Sequence, residues 1–417
     1  LSGASMIDFE ALKLEVLVST TSRTTSAQHG TAPAHGALAV LLLAISAFVI
    51  VTTEFIIVGL LPGIARDFGL SIANAGRLVT LFAFTVMLFG PVLTGLVSHV
   101  DRKKLFVALL FLFAFSNALV AMASNVWIVA LGRALPALAL SVFWGTSSET
   151  AAQLAGPARS GKAVSNVYMG IAAAMVFGIP VGTLVGNAVG WRGTFWILAA
   201  LSLAMAVLLL FVMPVLQKPA RLELGHQMRI LRNPIFLANL VLSVVVFTAM
   251  FTSYTYLVDL LERVAHIPRH AVGWWLMGFG VVGLAGNWIG GHMVGKDPLR
   301  ATLIAALVLA IGMAASTLLI GNAFMLVIAL GVWGLANTAL YPICQVRVMR
   351  AAAHSQALAG TLNVSMANAG IGLGAIIGGL TINKLGVADI GYVAAAIAVV
   401  AVLLVPLIAR MGGERAY

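Results

Sequence analysis

LAALSLAMAVLLLFVMP, Leu198 to Pro214, carries no charged residue and shows no alternation of polar with apolar positions. A strand of a membrane barrel would alternate lipid-facing and lumen-facing side chains over segments of about ten residues, so this run reads as helix. Similar apolar runs recur along all 417 residues, each close to the roughly 20 residues a helix needs to cross a bilayer. The chain is 61% hydrophobic and only 9% charged, whereas a soluble domain is about a quarter charged. An all-α integral membrane protein follows.

Working outward from that run, Gly, Pro and charge punctuation divides the chain. Six spans are expected near 37–61, 74–97, 104–124, 126–148, 163–187 and 191–214. After the polar connector QKPARLELGHQMRILRN, six more follow near 234–258, 271–294, 299–320, 322–346, 357–383 and 388–410. The expected organisation is a disordered cytoplasmic tail over 1–36, a six-helix bundle over 37–214 and a cytoplasmic linker over 215–233. A second bundle covers 234–410 and a short cytoplasmic tail 411–417. No signal-peptide pattern opens the chain.

A formal charge of +11 in a soluble protein would suggest nucleic acid, but here the bases are scattered among short connectors, and no nucleic-acid partner is expected. With the N-terminus inside, seventeen Lys and Arg fall on the inner side and six on the outer, Arg133 being left within the fourth span. That bias puts both termini in the cytoplasm. The basic connectors, DRKK at 101–104 and 215–233, would then meet anionic headgroups. Cys344 is the single cysteine, so neither an internal disulfide nor a cysteine metal cluster is expected.

The two sets of six spans resemble each other. Asn166, Val167 and Met169 recur as Asn363, Val364 and Met366, and Gly182 recurs as Gly379, all 197 positions on. The same offset carries Ala37 onto Pro234. Gly95, Asp101 and Lys104 correspond to Gly291, Asp297 and Arg300 at an offset of 196. Agreement at matching spans indicates a duplicated unit, and two such halves around a midplane site are a transporter architecture.

TTEFIIVGLLP, Thr52 to Pro62, places a glutamate inside the first span. Glu54 lies about 12 Å below the outer end and Arg133 about 10 Å, at about 1.5 Å per residue. A charge at the membrane centre costs on the order of 3 kcal/mol, so such residues tend to face a cavity and pair. The two are expected partners. Burial disfavours the charged carboxylate and a nearby guanidinium favours it, so moving the arginine or admitting water would switch Glu54 between holding and releasing a proton. A static structural pair, a snorkelling glutamate, or substrate binding without proton transfer are the plainer alternatives. Glycines at 178, 182, 186 and 190, with Pro180 among them, form a small-residue face that lets another helix approach closely.

With these stretches in place, the chain over 37–410 resembles the major facilitator superfamily, and within it the twelve-helix drug:proton antiporter group and its arabinose (sugar) efflux permease-like branch. TTEFIIVGLLP is similar to that branch's first helix, GIPVGTLVG (178–186) looks like its antiporter motif, and CQVRVM and LNVSMANAGIGLGAIIGG look like its tenth and eleventh helices. Two departures stand out. His99 occupies the loop position where the family usually has an acid, with Asp101 two residues on, and most glycines expected after Arg133 are missing until Gly145. The resemblance implies twelve transmembrane helices in two pseudo-symmetric six-helix bundles, the major facilitator fold. It places the Gly178, Pro180, Gly182 and Gly186 motif at the interface between halves as a gate, and gives Gly95, Asp101, Arg102 and Lys103 a part in locking the outward-open state. In that fold the polar and aromatic residues at mid-depth, Asn166, Tyr168, Thr248, Tyr254, Tyr256, Asn337, Tyr341, Asn363 and Asn368, are cavity candidates, although a lone buried Asn or Tyr is commonly an interhelical hydrogen bond.

Other apparent motifs carry no chemistry. GFGVVG at 278–283 lies inside an apolar span with neither strand nor ribose acid, and reads as helix packing. The histidines lack metal-ligand spacing, and no paired acids or nucleophile with a base suggest an enzyme. The expectation is a monomeric transporter of a bacterial inner membrane, exporting a small molecule such as a sugar, nucleoside or drug in exchange for protons. No cofactor is expected beyond the proton gradient. An importer or facilitator on the same scaffold is the alternative, because fold does not fix direction.

Overall fold

The computed structural model describes residues 34–97, 99–156, 159–214, 216, 228–295, 297–352 and 356–411. Most of the expected N-terminal tail and linker, and 412–417, lie outside these residues. The helices are α1 (Ala34–Asp67), α2 (Ile72–Leu96), α3 (Arg102–Ala121), α4 (Val126–Ala155), α5 (Ser160–Ala173) and α6 (Ile179–Val212), then α7 (Pro234–Tyr254), α8 (Leu257–Arg263), α9 (Arg269–Met293), α10 (Pro298–Leu318), α11 (Ala323–Arg350), α12 (Gln356–Lys384) and α13 (Ile390–Met411). Helix α1 begins at Ala34, inside the expected tail, and the linker's end, Met228–Arg232, forms a 3-10 turn.

Among the described residues eleven helices are long and apolar enough to cross a membrane. One of them, Lys162–Val212, has 51 residues, or about 77 Å at helical rise, more than twice the hydrocarbon thickness of about 30 Å. Gly190 divides it with φ 80 and ψ 159, a conformation essentially reserved for glycine. The chain folds back there, since Thr194 Oγ1 donates to the Gly182 carbonyl at 3.3 Å. Twelve crossings result, and both described ends of the chain fall at the end of the bundle that carries Asp101. The opposite end carries Asp67.

Local capping follows the duplication. Asn125 accepts from the N–H groups of Trp127 and Ile128 at 3.0 and 3.1 Å, and Asn322, 197 positions on, accepts from Phe324 and Met325 at 3.1 and 3.2 Å. Asp101 caps α3 through Lys104 N–H at 3.0 Å, as Asp297 caps α10 through Leu299 and Arg300. Gly190 and Gly386, with positive φ of 80° and 106°, precede the last crossing of each half. Each cap satisfies N–H groups that have no intrahelical partner. Asn125→Ala and Asn322→Ala are each expected to cost about 1 kcal/mol, measured as similar drops in thermal stability in detergent. A large effect at one site and none at the other would break the equivalence.

The halves, α1–α6 and α7–α13, meet where α2 lies along α12 and where α5–α6 lies along α9. The motif over 178–186 lies at the interface through Pro180, which faces α9, but its glycines turn the other way. A Cβ on Gly178, Gly182 or Gly186 would strike Thr52, Ile56 or Leu60 of α1, so these glycines seat α6 against its own half. At the contact of α5–α6 with the second half, the small residues come instead from α9. A Cβ on Gly280 would lie 2.7 Å from the Met175 carbonyl oxygen, and one on Gly273 would strike Leu184 and lie 3.1 Å from the Pro180 carbonyl oxygen. The GFGVVG segment is thus helix packing, as read. Opposite Gly280, the chain makes a π turn over Ala174–Gly178, followed by Pro180, which lacks an N–H to donate.

Apolar packing differs between the two ends. One large cluster joins Phe55, Leu61 and Ile64 of α1 to Phe251, Leu257 and Leu261 of α7–α8, across the halves. Towards the Asp101 end the clusters separate, one confined to the first half around Phe106, Phe143 and Leu209 and one to the second around Phe236, Leu240 and Val348. Two polar ties between halves sit at the Asp67 end, Arg66 with Glu262 at 3.4 Å and Asn187 Nδ2 to the Arg269 carbonyl at 2.8 Å, and Thr80 Oγ1 of α2 donates to the Gly372 carbonyl of α12 at 3.3 Å. The outer faces of the helices present apolar side chains such as Phe211, Leu403 and Ile311, and exposed Trp127, Trp274 and Trp288 lie near helix ends, where indoles anchor at a membrane interface.

Candidate functional site

Glu54 and Arg133 meet, but not by the expected contact. Arg133, 1% exposed, donates from Nη1 to the Thr53 carbonyl at 2.5 Å and from Nη2 to the Glu54 carbonyl at 2.7 Å. Its guanidinium also lies 4.4 Å from the Phe82 ring centroid. The arginine therefore grips the main chain of α1 at Glu54, and the carboxylate makes no hydrogen bond or ion pair with a described residue. Geometry explains this: helix carbonyls retain a free lone pair, and the planar fork of arginine spans two successive ones. Asn117 Nδ2 donates to Thr53 Oγ1 at 3.2 Å, fixing the same turn from α3.

The Glu54 side chain borders a small chamber shared with Phe55, Val79, Phe82, Arg133, Asn368 and Ile371. A second, small chamber lies between Met175, Ile179 and Pro180 of the first half and Tyr254, Phe279, Asn337 and Tyr341 of the second. Its wall holds no charged side chain. The Oδ1 of Asn337 has no hydrogen-bond partner, and neither has that of Asn368 in the first chamber. A buried amide oxygen left without a donor costs about 1–3 kcal/mol, which a ligand donor would relieve.

Of the nine cavity candidates, Tyr254, Asn337 and Tyr341 are brought together and Asn368 joins Glu54. The others fall elsewhere. Tyr256 donates to the Ala375 carbonyl at 2.7 Å, Thr248 bonds back to Val244 O, and Asn363 bridges Ser243 and Gln345; all three act as interhelical or intrahelical ties. Asn166 lines neither chamber, and Tyr168 is exposed on α5, packed on Trp144. Asp101 serves as a helix cap, while Arg102 pairs with Glu149 of α4 at 2.8 Å, joining two helices of one half. Lys103 is half-buried on α3; Gly95, in the last turn of α2, lies at the same end.

Two buried charges escaped sequence reasoning. Arg347, counted among the connector bases, sits inside α11, which runs on to Arg350. It donates to Thr302 Oγ1, Ser243 Oγ and the Asn239 carbonyl. Ile343, Cys344, Arg347 and Val348 share one buried face of α11, and that helical spacing could have marked it. Asp259, 2% exposed, pairs with Arg263 at 2.8 Å, one turn later on α8.

Two helical bundles enclosing midplane chambers are the architecture of a transporter. The chain belongs to the Major Facilitator Superfamily, whose profile matches residues 43–311. It is 35% identical over 375 residues to the inner membrane transport protein YdhP of Escherichia coli K12, covering 90% of this chain and 96% of that one. It is 28% identical over 364 residues to a protein named as a probable sugar efflux transporter in Mannheimia succiniciproducens, covering 87% and 92%. The fold superposes on an inward-facing, occupied bacterial homologue of the human lysosomal transporter Spinster, with a TM-score of 0.77 at 16% identity, covering 91% of this chain and 98% of that one.

Proposed function

We propose that the protein exports a neutral polar small molecule, such as a sugar, nucleoside or drug, in exchange for protons, by alternating access across a bacterial inner membrane. The observation that carries this reading is the Glu54 carboxylate. It is buried within a membrane span, borders a pocket that Arg133 also lines, and makes neither a hydrogen bond nor a short ion pair with a described residue, which leaves it able to take up and release a proton under the influence of that arginine. A structural ion pair would have consumed it. The uncharged chamber around Tyr254, Asn337 and Tyr341 suits a ligand with both donors and acceptors and an apolar face, and relatives named for sugar efflux accord with such a ligand.

The excess of Lys and Arg at the Asp101 end supports a cytoplasmic placement of that end and of both termini. The halves packed together at the Asp67 end accord with an inward-facing state. The protein acts as a monomer without a cofactor, with the proton gradient as its energy source. Inside-out vesicles carrying the protein provide the test, over a panel of sugars, nucleosides, amphenicols and lipophilic cations. A neutral compound is expected to release protons from the lumen as it enters. Proton movement in the same direction as the compound would make the protein a symporter, and compound flux without proton movement a facilitator; either overturns the reading.

A further inference from the structure

The two chambers share no lining residue. What separates them is a line of rings. Phe55, which borders the Glu54 chamber, stacks on Phe251 with centroids 5.8 Å apart and planes 29° apart. Phe251 meets Tyr254, on the wall of the second chamber, edge-on at 5.5 Å, and Tyr254 meets Phe279 at 5.7 Å. Phe251 is fully buried and lines neither chamber, so its position places it between them.

Resting on the proton-exchange reading above, we propose that proton and substrate occupy separate chambers, and that Phe251 is the positioning residue that keeps them apart and couples them. A proton moves along water or polar groups, and a packed pair of phenyl rings offers neither. Direct competition for one site is then unnecessary. A ligand seated against Tyr254 pushes on Phe251, Phe251 pushes on Phe55, and Phe55 is the residue next to Glu54 on α1. The coupling runs through rigid rings in contact, each able to shift only if its neighbour does.

The experiment needs no identified substrate. Purified full-length protein in liposomes, with an imposed pH gradient and the membrane potential clamped by potassium and valinomycin, reports proton leak by a trapped pH-sensitive dye. Phe251→Ala opens a void between the chambers and is expected to raise leak roughly ten-fold or more, equivalent to lowering a barrier by about 1.4 kcal/mol. Phe251→Leu, which keeps most of the apolar bulk, is expected to stay near wild type. The double variant Phe251→Ala with Glu54→Gln is expected to lose the leak, a result that a merely loosened core would not give. If the alanine variant does not insert, Phe251→Val carries the same test with a smaller void. A tight Phe251→Ala protein, or a leak that persists without Glu54, overturns the proposal. Substrate-driven proton release by wild type is a separate measurement, so the separating wall and the exchange mechanism can fail independently.

Discussion

Glu54→Gln is expected to abolish proton-driven transport while leaving the protein folded and able to equilibrate substrate down its gradient. Glutamine preserves length and shape but cannot carry a proton at this position. No hydrogen bond is lost, because Arg133 holds the main chain at Thr53 and Glu54 and not the carboxylate. Removing an ionisable group from the membrane interior even relieves a cost of about 3 kcal/mol whenever that group is charged. Thermal stability in detergent should therefore match or exceed wild type, while substrate-induced proton release falls to background. Undiminished release in this variant would sink the proton-carrier role of Glu54.

Arg133→Ala should behave in the opposite way, losing stability as well as transport. It removes two charge-assisted hydrogen bonds, each worth about 1.5–3 kcal/mol, and a ring contact worth about 1 kcal/mol. Relief from burying an unpaired cation offsets part of that sum. A net destabilisation of about 3 kcal/mol is expected, seen as a clear fall in melting temperature, as α1 and α4 lose the fork that joins them. Arg133→Lys keeps the charge but replaces the planar fork with a single ammonium. It should recover part of the stability and little of the transport. If Glu54→Gln and Arg133→Ala were equally destabilising, a carboxylate–guanidinium pair would be the true tie, and the geometry described above would be wrong.

Much of the fold was legible because hydrocarbon imposes long apolar runs with every backbone group bonded internally. The twelve runs and their duplication stand in the letters, and Gly190 marks a reversal that helical length alone would miss. Glu54 and Arg133 were legible as exceptions to the apolar runs. Their contacts were not, because depth along a helix leaves open whether an arginine meets a side chain or the carbonyls beneath it. The glycine face shows the same limit: spacing identified close packing at Gly178, Gly182 and Gly186, but a small-residue stripe carries no record of which helix fills it, and the occupant is α1. Arg347 was hidden by a helix boundary set only a few residues too early. Tyr256 and Asn363 could not be told from ligand contacts, since a phenol or amide that satisfies a neighbouring helix has the same composition as one that awaits a substrate.

The repeated caps have a consequence for how the two halves came to differ. With the end-stops of each half still 196 or 197 positions apart, interior positions can be matched one to one. Shifting Glu54 by 197 lands on Phe251, and shifting Arg133 lands on Leu330, a buried apolar residue. The acid of one copy and the ring of the other thus occupy matching positions of the duplicated unit. One copy keeps the charge, and its twin supplies the insulation.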